Sequence, residues 1–276
     1  MAQLQRLAVT AAQICANQID LTKEQQHYLN RVLRLQAGDR FIAMDGRGHL
    51  WLAILAASET GLFALITEEI AANGELPVTV TLMAALPKGN GFDEVVRQAT
   101  ELGVASIVPV TSDRTLLKPS SQKVDRWRRI AAEAAEQSER QIVPEILEPV
   151  SFDLAVKNCG QKHRFICVAR GENRHLWDCV SGLEPPQPPL ARGEQEPDEP
   201  QPRLLRGEQE PDELSIAIAV GPEGGWTDGE VERAIEFGFE PVSLGSRILR
   251  AVTAPMVALS LVGAAFEKCQ SPKIFP

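Results

Sequence analysis

No stretch of this 276-residue sequence is long and apolar enough to cross a bilayer. The run ending at Leu86 and the one from Met256 to Phe266 are short and interrupted, well below the ~20 apolar residues of a spanning helix. The N-terminus carries Arg6 but no apolar core with a small-residue cleavage site, and it lacks the Arg-rich, acid-poor character of a transit peptide. A soluble, cytoplasmic protein is expected. Cysteine pairs are also missing: Cys15, Cys159, Cys167, Cys179 and Cys269 are an odd set with no CxxC spacing, which supports neither a disulfide framework nor a metal site. Net positive charge is absent too. At -9 the chain looks poorly suited to phosphate contact, which draws on Lys and Arg.

The charge is unevenly placed. Between Ser181 and Glu213 nine acids face three arginines, so removing that segment's six net negative charges leaves only -3 on the rest. The same segment holds eight of the nineteen prolines, and RGEQEPDE from Arg192 recurs from Arg206. Polar, charged, proline-dense sequence cannot repay the entropy of ordering, so 181–213 is expected to be a disordered surface insertion, a tolerated duplication more than an interaction tail. Chain length together with 44% hydrophobic content suits two domains, each with its own core.

The sequence up to 73 reads as strand-rich. Arg40 to Met44, Leu50 to Leu55 and Leu62 to Ile66 are apolar runs separated by turn signals at Asp45 to Gly48 and Ser58 to Gly61, which predicts a small β-barrel. A helix is predicted from Lys23 to Leu35, capped by Thr22. From 74 to 276 the pattern becomes strands alternating with helices. Strands are predicted at Val78 to Leu86, Ala105 to Val110, His163 to Ala169, Ser215 to Val220 and Pro241 to Leu244. The helices fall at Asp93 to Leu102, Lys123 to Arg140, Asp228 to Phe237 and Ala254 to Glu267. Such alternation predicts an α/β domain with a parallel sheet, whose ligands collect at the carboxyl ends of the strands.

Two loops at those ends stand out. Gly221-Pro222-Glu223-Gly224-Gly225-Trp226 leads into a helix whose Thr227 and Glu230 have capping-box spacing. Its three glycines remove Cβ atoms that would hold a flat ligand off the backbone, although a tight turn alone has the same composition. The loop is neither GxGxxG nor a P-loop. The second, Gly245-Ser246-Arg247-Ile248-Leu249-Arg250, places two guanidiniums beside an apolar pair, ahead of a helix that Thr253 can cap and Pro255 can begin. Arg247 suits a solvated loop as well as an anion contact; for Arg250 the contact is preferred. The arginines of the helix from Lys123, Arg140 included, read mostly as a solvated face partly neutralised by Glu133 and Glu136.

The ordered motifs LPKG (Leu86 to Gly89), ELGV (Glu101 to Val104), AAEQSER (Ala134 to Arg140), GPEGG and LGSRILR resemble the bacterial 16S ribosomal RNA (uracil-N3) methyltransferases of the SPOUT superfamily. The stretch His27 to Gly48 resembles that family's PUA-like RNA-binding domain. The likeness covers nearly the whole chain outside 181–213. It implies a homodimer with a C-terminal trefoil knot, although knots are almost absent from proteins at large. S-adenosylmethionine would be held by Ala169, by Gly221, Pro222, Glu223, Gly224 and Gly225, and by the stretch Leu244, Gly245, Ile248, Leu249, Arg250, Thr253 and Ala254. One position departs: where the family has Glu before the Thr-Ala pair, this chain has Val252.

The implied reaction methylates uracil N3 in 16S ribosomal RNA of the small subunit. The sulfonium methyl is already activated, so no metal or covalent enzyme intermediate is called for. An arginine aimed at O2 and O4 of the base would stabilise developing charge; Arg250 is the first candidate and Arg247 the second. Arg6, Arg31, Arg34 and Lys88 are candidates for RNA contact. Methylation of a ribose 2′-OH, or of transfer RNA, by the same loops remains open. So does a catalytically weakened RNA-binding assembly factor, on account of Val252.

Overall fold

The computed structural model describes residues 4–58, 61–71, 74–115, 119–183 and 214–267. The expected insertion lies outside the described residues from 184 to 213. The N-terminal unit contains β1 (Arg6–Ala8), β2 (Ile14–Cys15), β3 (Gln18–Ile19), α1 (Lys23–His27), β4 (Arg40–Met44), β5 (Leu50–Ser58) and β6 (Gly61–Ile70). Its strands form one six-stranded sheet in the order β1-β4-β5-β6-β3-β2. Alternation in β4 and β5 sends Phe41, Ala43, Ala53 and Leu55 into a core shared with Ile19, Leu29 and Ala64.

Thr22 caps α1 as predicted: its side chain accepts from the Gln25 amide, and the Gln25 side chain accepts from the Thr22 amide in return. The predicted helix to Leu35 does not stay α-helical. From Tyr28 to Val32 the chain widens into a π-helical turn, with Leu33 N–H reaching Tyr28 O at 3.0 Å, and Arg34 then adopts φ +59°.

The C-terminal unit runs β7 (Thr79–Ala85), α2 (Gly91–Glu101), β8 (Ser106–Thr111), α3 (Ser121–Gln137), β9 (Glu145–Ile146), β10 (Val150–Ser151), α4 (Phe152–Lys157) and β11 (His163–Cys167). It continues with β12 (Arg174–His175), α5 (Leu176–Val180), β13 (Ser215–Val220), α6 (Asp228–Glu236), β14 (Glu240–Ser243) and α7 (Ala254–Glu267). The main sheet is ordered β10-β8-β7-β13-β11-β14-β12, with β9 on β8, and every pairing in it is parallel. Every residue of β13 is buried, which is why its run Ile216-Ala217-Ile218-Ala219-Val220 does not alternate with polar residues: helices cover both faces.

On one face α2, α3, α5 and α7 build the larger core, centred on Phe92 and Trp127 with ring centroids 4.5 Å apart. Trp127 is 1% exposed, and its indole N–H donates to Asp93 at 3.0 Å. Trp127→Ala is therefore expected to lower unfolding stability by about 3–5 kcal/mol; denaturant titration checks it, and a loss below about 1 kcal/mol would contradict this placement of the core.

The two units are tied together. The β4–β5 hairpin pairs with the segment after α3 (Gly48 N–H to Gln141 O, 3.2 Å; Val143 N–H to Gly46 O, 3.0 Å). Met44 and Leu50 share an apolar cluster with Ala135. Here the structure corrects three expectations. Arg6 is not free for phosphate, because its guanidinium donates to Glu139 O (2.6 Å) and to the Glu139 carboxylate (3.1 Å) across the junction. Nor does Arg140 belong to a solvated face. It is 4% exposed and binds the Glu75 carboxylate (2.6 Å) and the carbonyls of Thr100 and Val104. Glu136, read as a neutralising partner, instead accepts the Ala8 amide at 2.5 Å. The AAEQSER stretch is thus a domain clamp, whereas Arg126 and Arg128 do sit exposed in ion pairs with Asp93, Asp125 and Glu148.

Candidate active site

Parallel pairing puts the carboxyl ends of β7, β11, β13 and β14 at one edge. The register aligns Ala84 with Val220, Ala219 with Ile166, and Cys167 with Val242. The loops that follow these strands, at Leu86, Val168, Gly221 and Leu244, are therefore neighbours although up to 158 residues apart in sequence.

The loop after β13 folds back on itself through Gly225 N–H to Pro222 O at 2.8 Å. A Cβ on Gly221 would be tightly placed, 3.2 Å from Trp226 N. Pro222 and Trp226 are buried, while Glu223 and Gly224 are exposed. Glu223 accepts the Lys88 amide at 3.0 Å, joining this loop to the one after β7, where the Lys88 side chain is exposed. A Cβ on Gly224 would stand 3.1 Å from Arg114 Cδ, so that glycine faces a neighbouring side chain in place of the ligand space expected for it. Gly225 (φ +68°) and Gly245 (φ +112°) differ: both hold conformations that favour glycine, and nothing lies within 4 Å of where their Cβ would be. Bare backbone beside open space, in the loops after the two strands that flank β11, fits a flat ligand held by main-chain groups.

Sequence reasoning missed Arg114. From the loop after β8 it donates to Gly224 O and, at 3.3 Å, to Trp226 O. Its own loop is pinned by Glu230, fully buried, whose carboxylate accepts the amides of Asp113 (2.9 Å) and Thr227 (2.7 Å). The Thr227–Glu230 spacing announced the cap but not this second duty, and a lone arginine in a loop carries no periodic signal.

After β14, Gly245 N–H donates to Ser243 Oγ at 3.1 Å, and Arg250 O accepts the amides of Thr253 and Ala254, both at 2.9 Å, turning the chain into α7. Arg247 and Arg250 are exposed, with no ion pair among the described residues. Ile248 between them is 70% exposed and Leu249 is half-buried, so the two do not form a closed apolar slot by themselves. Val252 packs on the larger core, and a Cβ on Gly91 would meet its Cγ1 at 2.9 Å. On the far side of the edge Val168 N–H joins Val242 O at 2.9 Å and Ala169 is exposed. Burial pushes the neighbouring Cys167 thiol up to about 12, so it stays protonated at neutral pH and is not a nucleophile. Among the described residues no group of His, Cys, Asp and Glu could hold a metal ion, and no helix is long and apolar enough to cross a membrane.

Residues 74–187 and 192–263 match the family described as RNA methyltransferase domain, and residues 21–67 match the RNA methyltransferase PUA domain. The chain belongs to the RNA methyltransferase family. Within it, the chain is 45% identical to the Ribosomal RNA small subunit methyltransferase E of Synechocystis sp., across 95% of this chain and 78% of that one. It is 30% identical to the Bacillus subtilis protein of the same name, across 88% of each. Among solved structures, the Ribosomal RNA small subunit methyltransferase E from Neisseria gonorrhoeae bound to S-adenosyl methionine superposes with a TM-score of 0.76 at 27% identity, over 96% of this RNA methyltransferase and 98% of that chain. A Legionella pneumophila methyltransferase in complex with the same cofactor gives a TM-score of 0.76 at 26% identity, over 96% and 98%.

Proposed function

We propose that this protein transfers the methyl group of S-adenosylmethionine to N3 of a uracil in 16S ribosomal RNA of the small subunit. The observation that carries the reading is the placement of two bare-backbone glycines, Gly225 and Gly245, and of two guanidiniums with no ion pair among the described residues, Arg247 and Arg250, in loops at the carboxyl end of one parallel sheet. The names of the relatives supply the substrate class. S-adenosylmethionine supplies an activated methyl on a sulfonium. Main-chain groups of Gly221 to Gly225 and of Leu244 to Leu249 hold it, with Ala169 as the third wall and Thr253 and Ala254 closing the turn.

The chain's own work is placement and charge. Uracil N3 reacts as the anion, whose charge spreads over O2 and O4; Arg250 meets that charge, with Arg247 beside it. N3 lies on the Watson-Crick edge, so the base must be unpaired or flipped. In this reading residues 1–73 are a PUA-like β-barrel that binds RNA, and 74–276 form the catalytic domain. The reading includes a C-terminal trefoil knot, with which the insertion of β13 between β7 and β11 and of β14 between β11 and β12 agrees. The outward side of α7 carries the small residues Ser260 and Ala264, a surface that suits close approach by a second copy in a homodimer.

Calorimetric titration with S-adenosylmethionine tests the reading: saturable binding is expected, and no binding would overturn it. Arg114→Ala should weaken that binding roughly three- to tenfold through loss of the two carbonyl contacts, with Arg114→Lys intermediate. Equal affinity in all three proteins would show that Arg114 does not set the loop.

A further inference from the structure

A shallow concavity, of about 330 Å³, opens on the N-terminal unit where the π-helical turn meets the β5–β6 hairpin. Gln26 forms its floor: its side chain donates to Leu21 O at 2.9 Å and accepts the Leu62 amide at 3.2 Å. With its amide committed in both directions, Gln26 is a fixed wall. His27, Asn30 and Arg31 line one side, and Ala57 and Leu62 give the other an apolar surface.

Two features set this place apart. His27, Asn30 and Arg31 face the same concavity, and all three are exposed with no partner among the described residues. The backbone beneath them is unusual twice, in the π-turn Tyr28–Val32 and in Arg34 at φ +59°. π-turns recur at functional sites, and a non-glycine residue in the left-handed region persists only where the surroundings hold it.

We propose that this concavity binds one unpaired nucleotide of the RNA substrate, with Asn30 and His27 reading the base edge, Leu62 and Ala57 against its face, and Arg31 on the adjoining phosphate. Asn carries both a donor and an acceptor, which a base edge can match, and the volume falls near the lower end of small-ligand pockets, about 300 to 1,000 Å³. A double helix would not expose the base edge to a concave site, whereas loops and bulges splay their bases outward. The proposal rests on the RNA-methylating function and assigns a specific contact that the function does not require.

The test is fluorescence anisotropy on the full chain with a short fluorescein-labelled single-stranded RNA of mixed sequence, and with the same RNA annealed to its complement, across a salt series. Asn30→Ala should weaken single-strand binding roughly three- to tenfold without changing the salt slope. Arg31→Ala should weaken it and lower the slope by about 0.7. Arg97→Ala, on α2 and ion-paired with Glu94, serves as the surface control and should do neither. Wild-type affinity in Asn30→Ala overturns the proposal, as does equal Asn30 sensitivity on the duplex; an effect of Arg31 alone shows a phosphate track and overturns the base pocket. S-adenosylmethionine titration of the wild type runs alongside. If cofactor binds and Asn30→Ala is silent, only the pocket fails; if the wild type binds neither cofactor nor RNA, the functional reading fails with it.

Discussion

Arg250→Lys is expected to lower single-turnover methylation of small ribosomal subunits by roughly a hundredfold to a thousandfold, the cost of losing one donor aimed at a developing oxyanion. Affinity for S-adenosylmethionine and for RNA should change far less. Lys keeps the charge but not the planar, multi-donor fork that can meet O2 or O4, and an interaction made in the transition state shows in rate more than in ground-state binding. The backbone supports this separation: the Arg250 carbonyl is locked by the Thr253 and Ala254 amides at 2.9 Å while its side chain stands exposed, so the substitution leaves the turn into α7 intact. Raising the pH should partly restore the variant, because bulk hydroxide then ionises N3 without help from the enzyme. Parallel loss of rate and cofactor affinity, with no recovery at high pH, would make Arg250 a binding or structural residue and move the charge-stabilising role to Arg247.

The second large effect is expected from Gly245→Val, which should reduce S-adenosylmethionine affinity at least tenfold while leaving the thermal midpoint within a few degrees of wild type. Nothing stands within 4 Å of the new Cβ, so the core is untouched. The φ of +112° is the obstacle, since a β-branched residue held there stores about 1–3 kcal/mol, and a surface loop relieves such strain by moving. Movement displaces the backbone groups of Leu244 to Leu249 from the strand edge. Calorimetry and a melting curve on the same sample separate the outcomes: unchanged affinity removes this loop from the cofactor site, and a collapsed melting curve makes the glycine a folding requirement.

Where the sequence was readable, the reason was periodicity or capping. β13 and α7 match their predicted bounds because an uninterrupted apolar run and a Thr-Ala-Pro start leave little freedom, and the Thr22 and Thr227 caps form as their spacing indicates. Two-residue strands such as β2, β3 and β12 are too short to show alternation, and they exist only because a neighbouring strand offers its edge. The strand order was equally out of reach, since a late strand lying between two early ones is decided by long-range packing.

The candidate site divides the same way. Glycine-rich and arginine-bearing loops mark themselves by composition, and they do fall at one edge. Arg114 could not be found, because its importance lies in reaching two carbonyls more than a hundred residues away. Glu136 was misread for a related reason, since a charge on a helix face looks solvated until a second domain covers it; Arg140 lies beyond the end of α3, where Glu75 and the carbonyls of Thr100 and Val104 of its own unit enclose it.

The central claim is tested most directly by nucleoside mass analysis of small-subunit ribosomal RNA, taken from cells lacking this protein and then incubated with the purified protein and S-adenosylmethionine. The account predicts a methyl group gained on a uracil base at N3, absent from RNA incubated with Arg250→Lys for the same short time. Methylation on a ribose 2′-OH, or no methylation of the RNA while cofactor still binds, would contradict it.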